Sequence, residues 1–246
     1  MPSKITVAIL EDHQSIIDGY SYRLSVPECE IVGTVLYGED IEKILAASRP
    51  NVLILDANVR TSPENPNPFP ILPFVRTTLQ KYPHLKILVI SMLTAGALIE
   101  ALVDSGVRGY IFKEDESSIR QLFHVVKKVA EGGDYFSPGA WEKMKAGQSS
   151  SILTSRQLEA LSVSAAYPDL STYVLAQKLA VSASTFRNLL SGAYKRLGVS
   201  TRTAAIVRAN LLGLLAHAND LPDLNEQSGI FGTQDEGREK IVQLSI

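Results

Sequence analysis

Five short β-rich runs alternate with helical patterns through the first half of the chain. The runs are "KITVAIL" (4–10), "EIVGTVL" (30–36), "VLILD" (52–56), "KILVIS" (86–91) and "GYIF" (109–112). Between them the apolar residues return at helical spacing. Ile16, Ile17, Tyr20 and Leu24 do so after the first run, and Ile119, Leu122, Phe123, Val126 and Ala130 after the fifth, over 116–131. Strands that alternate with helices build a parallel sheet covered on both faces. Such a sheet collects reactive groups beyond the carboxyl ends of its strands.

The second half reads differently. Strand signals vanish after "EGGDYFSPGAWEKMKAGQSSS", whose glycine, serine and proline mark a boundary. Helical patterns then run over about 154–166, 171–180, 183–197 and 201–216. The expected fold class is α/β plus all-α: a doubly wound (βα)5 domain at 1–131, a linker at 132–151, a four-helix domain at 152–216 and an acidic tail at 217–246. Charge divides along the same lines. Residues 151–216 carry 7 Lys+Arg against 2 Asp+Glu, and residues 217–246 carry 2 against 6. A basic segment between acidic ones suggests contact with a polyanion. No apolar run is long enough to span a bilayer, and the first residues reach acids too early for a secretory signal. One cysteine, Cys29, allows no internal disulfide. These features lead one to expect a cytoplasmic protein with no membrane partner.

The strand ends carry a chemically coherent set. Glu11 and Asp12 follow the first strand, Asp56 ends the third, Ser91 the fourth, and Lys113 follows the fifth. Each alone is an ordinary turn former, helix cap or solvated side chain. Together they bring three carboxylates, a hydroxyl and an ammonium to one edge. Clustered carboxylates repel unless a cation relieves them, and Mg²⁺ suits oxygen ligands and phosphate. An aspartate there can take a phosphoryl group as an acyl phosphate, with Lys113 pairing with the phosphate and Ser91 donating a hydrogen bond to it.

Residues 1–130 resemble the receiver domain of two-component response regulators. The resemblance lies in "ILEDH", "VLILD", "VISM" and "GVRGYIFKE". It implies Asp56 as phosphoacceptor, Mg²⁺ held by Glu11, Asp12, Asp56 and the backbone carbonyl of Asn58, and Ser91 with Tyr110 as a switch pair. The hydroxyl would move toward the phosphoryl group, and the ring would turn inward behind it. One departure stands out. Receivers usually continue after the phosphoacceptor with a short "Met-Pro-x-x-x-Gly" loop, and here the loop is "ANVRTSPENPNPFP". Its four prolines fix φ and remove donors, which suggests an extended flap over the pocket rim.

Residues 153–209 resemble the LuxR-type helix-turn-helix domain of NarL/FixJ-type response regulators, through "LTSRQLEAL", "LAQKLAVS" and "TFRNLLSGAYKRLGVSTRTAA". The resemblance implies a support helix at 171–180, a turn near Ala180–Val181 and a recognition helix capped by Ser182. Phe186, Leu190, Ala193 and Leu197 would face the core, leaving Ser184, Arg187, Asn188, Ser191 and Lys195 outside. Arg187 and Asn188 suit guanine and adenine edges. Thr185, Lys195, Arg196 and Arg202 suit phosphates. The connection "SAAYPDLST" is longer than usual in this family. The last helix, 201–216, commonly mediates dimerisation there, so a homodimer on double-stranded DNA is expected.

The expected function is a DNA-binding transcriptional regulator, switched when a histidine kinase phosphorylates Asp56. A regulator that does not depend on phosphorylation is the alternative. A Mg²⁺-dependent aspartyl-phosphate phosphatase is the third reading. It is disfavoured because Asn58 stands where such enzymes place a second aspartate, so no dedicated enzyme is expected. His13, His84, His124 and His217 show no metal-ligand spacing and are expected at the surface or in packing.

Overall fold

The computed structural model describes residues 4–147 and 152–216. The tail 217–246, with its expected acidic character, lies outside the described residues, as does His217. The order of elements is β1 (Ile5–Leu10), α1 (Gln14–Arg23), β2 (Cys29–Val35), α2 (Ile41–Ser48), β3 (Val52–Leu55), α3 (Ile71–Lys81), β4 (Lys86–Ser91), α4 (Gly96–Asp104), β5 (Gly109–Phe112), α5 (Glu116–Arg120), α6 (Leu122–Ala130), β6 (Tyr135–Phe136), α7 (Pro138–Gly147), α8 (Ser155–Ala166), α9 (Thr172–Lys178), α10 (Ala183–Leu197) and α11 (Arg202–Leu211).

The five expected strands form a parallel sheet in the order β2-β1-β3-β4-β5, and β6 adds a sixth at the β5 edge. β3 lies between β1 and β4, and all four of its residues are buried. That position accounts for its unbroken "VLIL": a strand covered on both faces has no polar side to alternate with. One apolar cluster, built on Val7, Ile9, Ile54, Ile90 and Ile111, packs under α1 and α6. The other, built on Ala8, Leu10, Leu53, Leu55 and Val89, lies under α2, α3 and α4 and continues into the helical domain.

Three local expectations shift. The segment expected as linker, 132–151, contains β6 and α7. Tyr135 pairs with Gly109 and Phe136 with Tyr110, while Ala140 and Met144 are buried. The expected helix over 116–131 is broken at Gln121 (φ −98°, ψ 20°), and its buried residues are Leu122, Val125, Val126 and Val129, with Phe123 turned partly outward. The last helix ends at Leu211. The chain turns at Gly213 (φ +67°), and Leu214, Leu215 and Ala216 are buried.

α8 has no exposed face from Gln157 to Ala166. A helix buried all round lies between two layers. One side packs on α9, α10 and α11, the other on α3 of the sheet domain. Its start is a capping box, in which Thr154 accepts from the Gln157 N–H and Gln157 accepts from the Thr154 N–H. Burial of Glu159 is met by Arg76 of α3 at 3.0 Å and Arg156 at 2.5 Å.

Candidate functional site

The sheet topology brings the predicted strand-end residues together. Asp56 follows β3 and is 4% exposed; Glu11, after β1, is 1% exposed. Lys113, after β5, places its ammonium 2.6 Å from Glu11 Oε2 and 2.7 Å from Asp56 Oδ2. The Asn58 N–H donates to the other Asp56 oxygen at 3.0 Å. Burial of the Lys113 ammonium works against its charge, but the charges of Asp56 and Glu11 outweigh burial and raise its pKa above the usual lysine value. Burial, then repulsion from Asp56, raises the Glu11 pKa, and Lys113 offsets this in part. The pocket is thus a buried cation between two carboxylates, each of whose other oxygens faces a partner, the Asn58 N–H for Asp56 and His13 for Glu11.

His13 is exposed, as expected, and its Nδ1 lies 2.8 Å from Asp12 Oδ1 and 3.1 Å from Glu11 Oε1. Donor atoms of Glu11, Asp12 and His13 all fall within 4.8 Å of one another. This oxygen-rich, half-enclosed set fits a hard divalent cation. Asp56 stands across the Lys113 ammonium from Glu11 rather than inside that cluster. Tyr20 is another residue the sequence did not single out. It is buried beneath the pocket, and burial, with the charges of Glu11 and Asp56, raises its phenol pKa.

The two predicted switch residues are both fully buried. The Ser91 Oγ accepts from the Leu93 N–H at 3.3 Å, and the Tyr110 hydroxyl donates to the Leu93 carbonyl at 2.8 Å. Both therefore meet on the loop between β4 and α4. The Tyr110 ring already points inward and stacks edge-on against Phe112.

The loop after Asp56 is a small hairpin, not the extended flap expected. Phe69 N–H donates to Val59 carbonyl at 2.8 Å, and Thr61 N–H to Asn67 carbonyl at 2.9 Å. Arg60 and Pro68 form the antiparallel pair between these bonds. The missing N–H of Pro68 falls where the ladder needs no donor. The hairpin is braced by Gly38 N–H to Arg60 carbonyl and Glu39 N–H to Thr61 carbonyl.

In the helical domain, Phe186, Leu190, Ala193 and Leu197 are buried as expected. Ser184, Thr185, Arg187, Asn188, Ser191, Lys195 and Arg196 are exposed. Ser182 caps α10 by accepting from the Thr185 N–H at 3.1 Å, and its hydroxyl lies 2.8 Å from the Thr185 hydroxyl. Arg196 also donates to the Ile152 carbonyl at 3.3 Å. Arg202 differs from the rest. It is half-buried, and its guanidinium donates to the Pro168 carbonyl at 2.6 Å and the Leu170 carbonyl at 3.2 Å, which fixes the connection into α9. The outward face of α10 is thus polar and cationic, while Arg202 has a structural task.

Comparisons with known proteins agree with this arrangement. No protein-family model matches the chain. It is 26% identical over 234 residues to the transcriptional regulatory protein DegU of Brevibacillus brevis, covering 84% of this chain and 93% of the relative. It is 25% identical over 215 residues to the transcriptional regulatory protein DesR of Bacillus subtilis, covering 85% and 98%. Among solved structures, RcsB of Salmonella enterica serovar Typhimurium, bound to promoter rprA with the phosphomimetic BeF3⁻, has a TM-score of 0.60 at 18% identity and covers 85% of this chain and 99% of that one. The resemblance to NarL/FixJ-type response regulators, a receiver domain followed by a helix-turn-helix domain, thus extends over both halves of the chain. Among the described residues, no helix is long and apolar enough to cross a membrane.

Proposed function

We propose that this chain is a DNA-binding transcriptional response regulator whose switch is phosphorylation of Asp56 by a histidine kinase. The observation that carries the reading is the pairing of Lys113 with both Asp56 and Glu11 at one sheet edge, in a chain that also presents the exposed polar face of α10. Its relatives are named as transcriptional regulatory proteins, and RcsB has been solved on promoter DNA.

A carboxylate oxygen of Asp56 attacks the phosphorus of the donor. The new O–P bond forms as the donor's bond to phosphorus breaks, and the donor leaves with that electron pair. Lys113 shifts from the carboxylates to the phosphoryl oxygens, and Ser91 gives up its Leu93 N–H contact to donate to them. With Lys113 moved from between them, Glu11 and Asp12, with Asp56 and the Asn58 carbonyl, would hold Mg²⁺, which would neutralise charge on the phosphoryl group. Movement of Ser91 is felt at Leu93, where the Tyr110 hydroxyl is also anchored, and so reaches the start of α4. On DNA, α10 enters the major groove with Arg187 and Asn188 toward base edges and Thr185, Lys195 and Arg196 toward phosphates. A homodimer would read paired half-sites.

Incubation with Mg²⁺ and acetyl phosphate, followed by intact mass measurement, tests the first step. The expected result is one phosphoryl adduct that Asp56→Asn abolishes. The absence of an adduct removes the phospho-switch. A second reading, regulation without phosphorylation, draws on one observation: Asp56 is almost fully buried, and its two oxygens are paired with the Asn58 N–H and the Lys113 ammonium. Under that reading Asp56→Asn leaves DNA binding and regulation unaltered.

A further inference from the structure

The two places where the sequence departs from its family pattern lie about a hundred residues apart, and the fold brings them together. The first is the proline hairpin after Asp56; the second is the lengthened connection between α8 and α9. At the hairpin tip, Asn65 Nδ2 donates to the Ala166 carbonyl at 2.9 Å. One residue on, the Tyr167 hydroxyl donates to Glu39 Oε1 at 3.1 Å. Glu39 is itself held to the hairpin through its N–H bond to the Thr61 carbonyl. Below these bonds, Phe69 shares a small apolar cavity with Leu72, Leu98, Ala165, Leu214 and Leu215, which come from both halves of the chain.

We propose that segments 57–70 and 164–172 form one clasp, which ties the helix-turn-helix domain directly to the strand end that carries Asp56. The tie is short and stiff. Asp56 Oδ1 accepts from the Asn58 N–H; Val59 and Phe69 then close the base of the hairpin, and Asn65 ends it against α8. The tip has no slack. Asn65 N–H bonds to Ser62, and its Oδ1 accepts from both Asn67 N–H at 3.2 Å and Asn67 Nδ2 at 2.8 Å. On the other side, Lys178 sits over the Tyr167 ring, 3.9 Å from its centroid, and Arg202 holds the carbonyls of Pro168 and Leu170. Burial, and the neighbouring carboxylate of Glu39, raise the Tyr167 phenol pKa, so it remains a donor. The clasp holds α8 while the outward face of α10 stays exposed, so it sets the orientation of the DNA-binding domain without covering its recognition face. Any change at Asp56 has a path to α8 through the hairpin, separate from the Ser91–Leu93–Tyr110 path into α4. That last consequence rests on the proposed phosphorylation of Asp56; the clasp itself does not.

Hydrogen exchange read by mass spectrometry on the full chain separates these statements. The test variant is Asn65→Ala with Tyr167→Phe, which keeps the Tyr167 ring and its contact with Lys178. Loss of the two hydrogen bonds is expected to speed exchange in α8 and in the facing part of α3 by about tenfold or more, with the β1, β3 and β4 amides unchanged. If α8 and α3 exchange as in the parent chain, the clasp is overturned. If the sheet amides accelerate equally, the variant has loosened the whole fold. Asn65→Asp, which sets a charged acceptor in place of the amide donor against the Ala166 carbonyl, then decides: unchanged α8 exchange in that variant also overturns the clasp. A further arm adds Mg²⁺ and beryllium fluoride. Coupling predicts changed exchange in both 59–69 and α8 in the parent, and in 59–69 alone in the double variant. No response in the parent, together with a loosened α8 in the double variant, keeps the clasp and sinks the phospho-switch.

Discussion

Two helix ends in the helical domain have the same geometry and different residues, which makes a sharp test of backbone strain. α9 ends with Ala180 N–H bonded to Gln177 carbonyl and Val181 N–H to Ala176 carbonyl; α10 ends with Gly198 N–H bonded to Lys195 carbonyl and Val199 N–H to Tyr194 carbonyl. Both are the 6→1, 5→2 pattern of a Schellman cap, which needs a left-handed residue. Gly198 takes it at φ +69°, and Ala180 takes it at φ +53° with a side chain. A left-handed conformation costs an L-residue about 1–2 kcal/mol, and the freer unfolded chain of glycine returns about 0.4–1 kcal/mol of that. Ala180→Gly should therefore stabilise by about 0.5–1 kcal/mol. Gly198→Ala should destabilise by a similar amount, because the added Cβ meets nothing within 4 Å and the cost is conformational. For a chain of this size each kcal/mol moves Tm by about 2–4 °C. Urea unfolding followed by circular dichroism gives the energies, and the double variant should return close to the parent. A neutral or destabilising Ala180→Gly would refute the reasoning, since Ala180 is exposed and its methyl buries little surface to lose.

Four further outcomes follow from the packing. Lys113→Ala leaves Glu11 and Asp56 facing each other without their cation and should cost about 3 kcal/mol; Mg²⁺ should recover part of it, seen as a larger Mg²⁺-induced Tm rise than in the parent. Gly38→Ala should cost about 1–3 kcal/mol by chemical denaturation, because its Cβ would sit 2.1 Å from the Phe69 ring. Arg76→Ala should destabilise by about 1–3 kcal/mol, because Glu159 then keeps only Arg156; a companion Glu159→Gln should remove most of that loss. Asp115 caps α5 by accepting from Ser118 N–H and the Ser117 and Ser118 hydroxyls, and the Ser117 bond leads the effects that hold its pKa below the usual 3.8. The folded form therefore binds fewer protons than the unfolded one, so this stability is present above about pH 4 and is lost as pH falls through the depressed pKa; Asp115→Ala should cost about 1 kcal/mol at pH 7 and flatten that part of the acid limb.

Much of this architecture could be read from residue order because its signals are local. A run such as "VLILD" declares both a buried strand and a reactive end, and the fold then supplies the partners. The buried stripe of α10 was equally legible, since all four of its core residues repeat at helical spacing. The misses share a different cause. β6 is two residues long, inside a Gly- and Ser-rich stretch, and exists because the edge of β5 offers unpaired backbone groups. α6 buries Val125 and Val129 beside the expected Leu122 and Val126, while Ile119, Phe123 and Ala130 cover the same core only in part. α8 reads as an ordinary amphipathic helix, and only its second neighbour, α3, explains why Glu159 and Ser162 are buried as well. His13 had no ligand spacing because it lies next to its partners in the chain, not a helical turn away.

The proline hairpin was visible as a departure long before it had a purpose, and the physical reason is separation. Asn65 and Ala166 are 101 residues apart, so no periodicity or local motif could pair them. What the local sequence did carry was stiffness. A flexible loop could reach α8 as well, but it would pay ordering entropy for each residue it fixed, and its tip would move independently of Asp56. Prolines at 63, 66, 68 and 70 lower that cost by restricting the unfolded chain. Pro68 does so at the one ladder position where a missing N–H is harmless. A stiff hairpin rooted three residues from Asp56, and ended on another domain by a hydrogen bond from its tip, can transmit a small displacement that a glycine-containing loop would absorb. Rigidity, more than length, is therefore the property that makes 57–70 useful at this place in the fold.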